Sequence, residues 1–343
     1  MASTATAGPL GPVPFKDVDV PEPEHTPPVP TEAEEEELRD LVSSLPRREH
    51  PVVELRLYKG LWLPVHWVPR TVLFQRRFAP RPDDVLVASY PKCGTTWLKA
   101  LAFAVMARRA HPPSAADHPL RRLNPHDCVP LVDEALAAGE GPRLDRLPSP
   151  RLMNTHLPHA LLPEPVAAGG CRVVYICRDP KDMVVSIWHF VRRIQPDLQF
   201  ADVFESVCDG TAGVGPVWDH VLGYWRASAA RPDRVLFLRY EHLLQDPGAA
   251  VRRLAEFTGL PFSAAEEDAG VVAGVVELCS FDKLKGMEAN KVGTTGVYIR
   301  LPNDALFRKG VAGDWTNHMT PEMAARLDAI VADKFQGTGL ALT

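Results

Sequence analysis

The chain predicts an α/β fold, a central parallel sheet covered by helices on both faces, and three short apolar runs carry that expectation. Val85-Leu86-Val87-Ala88, Val173 to Cys177 and Val235 to Leu238 are continuously apolar rather than alternating, the pattern of strands buried on both faces. Each precedes a segment whose apolar residues recur at helical spacing. Leu98, Leu101, Ala102, Val105 and Met106 follow the first, and Val184, Val185, Trp188 and Val191 the second. A stretch around Ala249 to Phe257 follows the third. Strands alternating with helices imply parallel pairing.

The alternation continues without a linker, so residues 36–343 read as one domain. Residues 1–35 are rich in Pro, Ala, Thr and Glu. Their composition predicts a disordered tail, with a short helix from Thr31 through Leu41 at its end. An aromatic stretch, Leu57 to Phe78, holds Trp62, Trp67 and Phe74. Near the C-terminus Thr320 reads as an N-cap and Pro321 as the first helical residue. Met323, Leu327, Ile330 and Val331 then supply the apolar face of a closing helix.

Composition narrows the function classes. The net charge is -5, from 38 basic and 43 acidic residues, so no basic field favours nucleic acid or an anionic membrane surface. Six cysteines are scattered without a CxxC pair, which reads as free thiols in a reducing compartment. No secretory signal and no run of membrane-spanning length is recognisable, and the expected location is the cytoplasm.

The strongest local signal is Ser89-Tyr90-Pro91-Lys92-Cys93-Gly94-Thr95-Thr96-Trp97. It falls where a buried strand gives way to a helix, whose first N–H groups and positive dipole end suit an anion. Gly94 permits close backbone approach, Thr95 and Thr96 add hydroxyls, and Lys92 adds a charge. The nucleotide triphosphatase loop places its lysine after the second glycine, followed by Ser or Thr. Here Lys92 precedes the only glycine, which disfavours a P-loop kinase.

The segment Tyr90 to Trp97 resembles the 5′-phosphosulfate loop of the cytosolic sulfotransferase family, in the wording of its plant branch. Four further segments match that family in order: Met153-Asn154-Thr155-His156-Leu157-Pro158, Cys177 to Asp182 with Ser186, Leu238-Arg239-Tyr240-Glu241, and Phe307 to Trp315. The resemblance implies a 3′-phosphoadenylyl sulfate (PAPS) donor and no metal. It implies that Lys92, Cys93, Gly94, Thr95 and Thr96 bind the donor's 5′ side, with Lys92 also at the leaving oxygen. It further implies Arg178, Ser186, Arg308, Lys309 and Gly310 at the 3′-phosphate, and Tyr240, Trp97 and Phe281 at the adenine. His156 matches the catalytic base. From residue chemistry alone, His156 is one histidine among twelve, and an Arg–Asp pair at 178–179 equally suits a helix cap.

The acceptor implied is a small, largely apolar hydroxylated plant metabolite of flavonoid, brassinosteroid, hydroxyjasmonate or strigolactone-precursor type. Asn124 to Pro130 resembles a plant-type stretch beside its pocket. A non-catalytic nucleotide-binding protein is the alternative from another class. The region Thr316 to Glu322 lacks the Lys and Val of the animal pairing stretch, so the expected state is a monomer.

Overall fold

The computed structural model describes residues 11–19, 30–296 and 300–342. A small antiparallel sheet comes first: β1 (Arg47–Arg48), β2 (Leu55–Tyr58) and β3 (Leu61–Pro64). The central sheet contains β4 (Val85–Ser89), β5 (Leu152–Thr155), β6 (Arg172–Cys177) and β7 (Val235–Arg239), in spatial order β5-β4-β6-β7. All its pairings are parallel. The three apolar runs are thus strands, each within a residue of its expected limits.

The lack of alternation in these runs has the expected cause. Leu86 and Ala88 face one apolar core, while Val85 and Val87 face a second on the other side of the sheet. Helix α1 (Glu32–Ser44) and helix α2 (Trp67–Arg77) lie on the first side, and helix α3 (Thr95–Met106) packs on the second. The closing helix Pro321–Phe335 starts at Thr320, whose hydroxyl accepts from Met323 N.

Strand order fixes where a ligand can bind. β4 sits between β5 and β6, so the chain leaves it to one side and returns on the other. A crevice opens at the carboxyl ends of strands at such a reversal. Tyr90, His156, Arg178 and Tyr240 immediately follow the four strands at that end.

The tail departs from expectation. Residues 11–19 lie against the domain, with Gly11, Pro12 and Pro14 buried and Phe15–Asp17 in one 3-10 turn. Gly11 has φ 100°, and a Cβ there would fall 2.2 Å from the carbonyl oxygen of Met106, so only glycine fits. Asp17 pairs with Arg122, and Lys16 lies 3.4 Å from Asp127. The disorder argument weighed apolar content alone. Prolines lose little entropy on ordering, and few contacts then suffice. Further on, Thr31 and Glu34 form a capping box at the start of α1, and Glu34 pairs with Arg77 at 2.6 Å. Residues 1–10 and 20–29 of the expected tail lie outside the described residues.

The starts of β4 and β5 are locked by a buried ion pair. Arg151 Nη2 donates to Asp84 Oδ2 at 2.6 Å and its Nε to Oδ1 at 3.0 Å. Asp84 also accepts from Arg81 N at 2.8 Å. Asp84→Ala strands a buried guanidinium and should cost about 3–5 kcal/mol of stability, read by denaturant unfolding. A loss within about 1 kcal/mol would show that solvent reaches Arg151.

Candidate active site

The turn from β4 into α3 is a concave arc of backbone. Lys92 has φ 68° and Gly94 φ 98°, so the chain winds left-handed on either side of Cys93 before α3 begins. Gly94 occupies the N-cap position without a side-chain cap, leaving the first N–H groups of α3 for an anion. A Cβ on Gly94 would lie 2.6 Å from the Tyr240 ring. The close approach and the positive φ both require glycine. Cys93 is buried, and burial pushes its thiol up to about 12, so the thiolate that a nucleophile requires does not form near neutral pH.

The two threonines differ. Thr95 is buried, with Oγ1 2.6 Å from Ser89 Oγ. Thr96 Oγ1 lies 3.0 Å from His126 Nε2. The Lys92 ammonium stands 3.8 Å over the Phe190 ring. Burial, with Arg178 and Arg308 nearby, pushes it down to about 7.

His156 follows β5 directly. Its Nδ1 donates to the Ser89 carbonyl oxygen at 2.9 Å, so Nε2 is the nitrogen with the lone pair in the neutral ring. Burial, opposed by that hydrogen bond, brings the imidazole down to about 3. Behind it His220 Nε2 donates to the His156 carbonyl at 3.2 Å, and Tyr175 Oη donates to His220 Nδ1 at 2.9 Å. Trp67 stacks at 6.3 Å from the imidazole, and Arg70 covers the indole at 3.7 Å.

A second cationic group lies beyond Gly94. Arg178 is buried, sits 4.6 Å over the Tyr240 ring and donates to Val311 O at 2.7 Å. Among the described residues its Nε has no hydrogen-bond partner. Ser186, eight residues further on in the helix Pro180–Val191, is also buried. Arg308 and Lys309 both pair with Asp314, the latter at 2.6 Å. Burial opposes the ionised Asp314 carboxylate, but these donors and Asn317 hold it well below the usual carboxylate range. Asp182 accepts from Gly313 N at 2.7 Å and Trp315 N at 3.0 Å, tying this loop to the helix Pro180–Val191. Gly310 lies flat on Phe281, where a Cβ would fall 2.4 Å from the ring. Trp97 meets Tyr240 edge-on at 5.7 Å.

One cavity of about 1260 Å³ joins the two groups. Every residue given a catalytic or donor-binding role from the sequence lines it except Cys93. Residues 82–339 match the sulfotransferase domain family. The chain belongs to that family. It is 42% identical over 313 residues to cytosolic sulfotransferase 8 of Arabidopsis thaliana, covering 90% of this chain and 93% of the relative. Cytosolic sulfotransferase 17 of the same plant is 42% identical, with 90% and 91% covered. Among solved structures, an Arabidopsis thaliana putative steroid sulphotransferase superposes with TM-score 0.73 at 36% identity, over 90% of this chain and 96% of its own. A mouse sulfotransferase complexed with PAP gives 0.65 at 26%, with 83% and 95% covered.

This sulfotransferase also carries site residues that sequence reasoning passed over. Lys99 lies on α3 among the apolar residues that defined the helix, fully buried. Its Nζ donates to Val129 O at 2.9 Å and to His126 Nδ1 at 3.0 Å, while burial brings the ammonium down to about 7. A lysine inside an apolar helix was the available signal. The cavity is lined by Trp67 and Leu131 and also by the charged Glu134 and Arg143. Among the described residues no cluster of three or more His, Cys, Asp or Glu is placed to hold a metal ion. No described helix is long and apolar enough to cross a membrane.

Phe15 and Lys16 of the N-terminal segment line the same cavity, with Arg143 5.4 Å from the Phe15 ring centre. Deleting residues 1–19 should therefore raise the acceptor KM about fivefold, the equivalent of about 1 kcal/mol from part of an aromatic contact. Donor-nucleotide affinity should stay unchanged. An unaltered acceptor KM would make the segment a passive extension.

Proposed function

We propose that the chain transfers the sulfuryl group of PAPS to a hydroxyl of a small, ring-containing plant metabolite, with His156 as the general base. The observation that carries this reading is the 2.9 Å bond from His156 Nδ1 to Ser89 O. It leaves Nε2 unprotonated beside the loop that offers Lys92 and the N-terminus of α3. Donor binding draws support from the unpartnered Nε of buried Arg178 and from the arc at Gly94. On this reading Arg178, Ser186, Arg308, Lys309 and Gly310 hold the 3′-phosphate. Tyr240, Trp97 and Phe281 flank the adenine. The PAP bound to the mouse relative points the same way.

When bound, PAPS supplies a sulfur that accepts the acceptor oxygen while its bond to the 5′-phosphate oxygen breaks. His156 Nε2 takes the hydroxyl proton, and Lys92 meets the negative charge growing on the phosphate oxygen. The first N–H groups of α3 and the Thr96 hydroxyl hold the phosphate in line. Trp67 and Leu131 suit a flat apolar body, and the Arabidopsis relative described as a putative steroid sulphotransferase agrees with a ring-bearing acceptor. Relatives named cytosolic support a cytoplasmic location.

His156→Ala should lower turnover by about two to four orders of magnitude while leaving PAP binding, measured by calorimetry, nearly unchanged. Turnover within a few-fold of wild type would remove His156 as the base. Because that imidazole stays neutral down to about 3, its titration should add no acid limb to kcat/KM across the mildly acidic range.

Lys92 gives the opposite sign. In the free enzyme its charge is present below about 7 and lost above it, so PAP affinity should weaken as pH rises through that value. Relative to the low-pH plateau the loss should reach about an order of magnitude about one pH unit above that value. Lys92→Met should flatten the profile. An identical slope in that variant would assign the effect to another group.

A further inference from the structure

We propose that Lys99 and His126 form a hydrogen-bond chain that turns the Thr96 hydroxyl toward the 5′-phosphate of the bound nucleotide, and that both are positioning residues for the donor. The inference rests on the reading of Thr96 as a phosphate ligand and adds what orients it. Thr96 and Lys99 are three residues apart on α3 and so share one side of the helix. His126 bridges them from the short helix Pro125–Cys128. Its Nδ1 lies 3.0 Å from Lys99 Nζ, and its Nε2 lies 3.0 Å from Thr96 Oγ1. All three residues line the cavity.

The direction of the chain follows from what each atom can do. Lys99 Nζ also donates to Val129 O at 2.9 Å. An ammonium has no lone pair, so toward His126 it can only donate. Burial, with Lys99 beside it, holds the His126 imidazole well below its usual value, so the ring is neutral and carries one proton. With Nδ1 accepting from Lys99, that proton is on Nε2, which donates to Thr96 Oγ1. The threonine oxygen is thereby engaged as an acceptor, and its own proton is left to donate. Among the described residues the Thr96 hydroxyl has no second partner. Thr95 differs, since its Oγ1 lies 2.6 Å from Ser89 Oγ in the interior.

The bridge itself is held in place. Asn124 caps the short helix, its Oδ1 accepting from His126 N at 2.9 Å, and its Nδ2 donates to Asn290 Oδ1 at 2.9 Å. Both asparagines are buried, so the imidazole projects from a fixed base. Lys99 is buried on a helix that is apolar from Leu98 to Met106 at every other position. Leucine or methionine would pack there without the cost of desolvating a charge. What the lysine adds is direction. A free hydroxyl must be ordered when a phosphate arrives, whereas one already accepting from His126 has less freedom to lose. The ammonium also polarises each bond beyond it, which makes the hydroxyl a better donor to an anion.

The test compares binding of PAP with that of adenosine 3′-phosphate, which lacks the 5′-phosphate, in the full-length enzyme by calorimetry. A pH of about 6 keeps Lys99 charged, below the value of about 7 to which burial brings it. Lys99→Met and His126→Leu should each weaken PAP about fivefold or more, and adenosine 3′-phosphate by less than about twofold. His126→Gln, whose amide nitrogen can donate where Nε2 does, should recover most of the loss. In a Thr96→Val background neither Lys99→Met nor His126→Leu should weaken PAP further, because the hydroxyl they orient is gone. Equal losses on the two nucleotides, or equal losses with and without Thr96, overturn the proposal and make the pair a support for the pocket wall. So do PAP affinities that stay at the wild-type value. His126 is partly exposed, so its variants decide the question if Lys99→Met does not fold. A Thr96→Val enzyme that binds PAP as wild type does would overturn the phosphate reading of Thr96 and the chain with it. The expected binding pattern without sulfation of any acceptor would overturn the catalytic reading and leave the chain standing.

Discussion

A single hydrogen bond, from His156 Nδ1 to the carbonyl oxygen of Ser89, joins the two halves of the chemistry. Ser89 ends β4 and opens the phosphate-type loop, while His156 leaves β5. Parallel pairing in register, Ala88 opposite Thr155, brings these two residues to the same height. The bond then fixes the ring's tautomer and orientation together. A slip of β5 along β4 would separate the imidazole from its acceptor and from the loop. The buried pair Asp84–Arg151 pins the opposite end of the same two strands.

Most of the fold was legible because its strands are buried on both faces and short. Continuous apolar runs of that length followed by helical periodicity leave few alternatives. The loop after β4 was legible from Gly94 and its neighbours, whose types match the needs of a positive φ and an uncapped helix. The small sheet of β1 to β3 was not. Its strands pair through mixed sequences such as Leu55–Tyr58, half-buried and without clean alternation. The N-terminal strap was misjudged because a Gly–Pro segment held by three or four tertiary contacts has the same local composition as a free one.

The site divides along similar lines. Arg178, Ser186, Tyr240 and Phe281 were found through ordered motifs and not through their own chemistry, since a lone arginine or tyrosine carries no such information. Lys99 was missed, and His126 was noticed only as part of the stretch Asn124 to Pro130, because their meaning is relational. A lysine in an apolar helix looks like an error in the pattern until the acceptors it reaches, Val129 O and His126, are known. Asn154 poses the converse difficulty: its buried amide finds no partner among the described residues, and no sequence displays that.

The carboxylate of Asp314 has a consequence for the company this pocket keeps. Arg308 and Lys309 both lean on it in the ligand-free protein, so one of their two positive charges is already offset from within. Free inorganic sulfate or phosphate must compete with an internal rival that loses no translational freedom. A dinegative ion touching one or two residues has little with which to win. A nucleotide gripped at both ends and stacked through its base draws on many contacts at once and can dislodge the carboxylate. The shared carboxylate thus weakens the hold of this loop on any small anion that meets it alone.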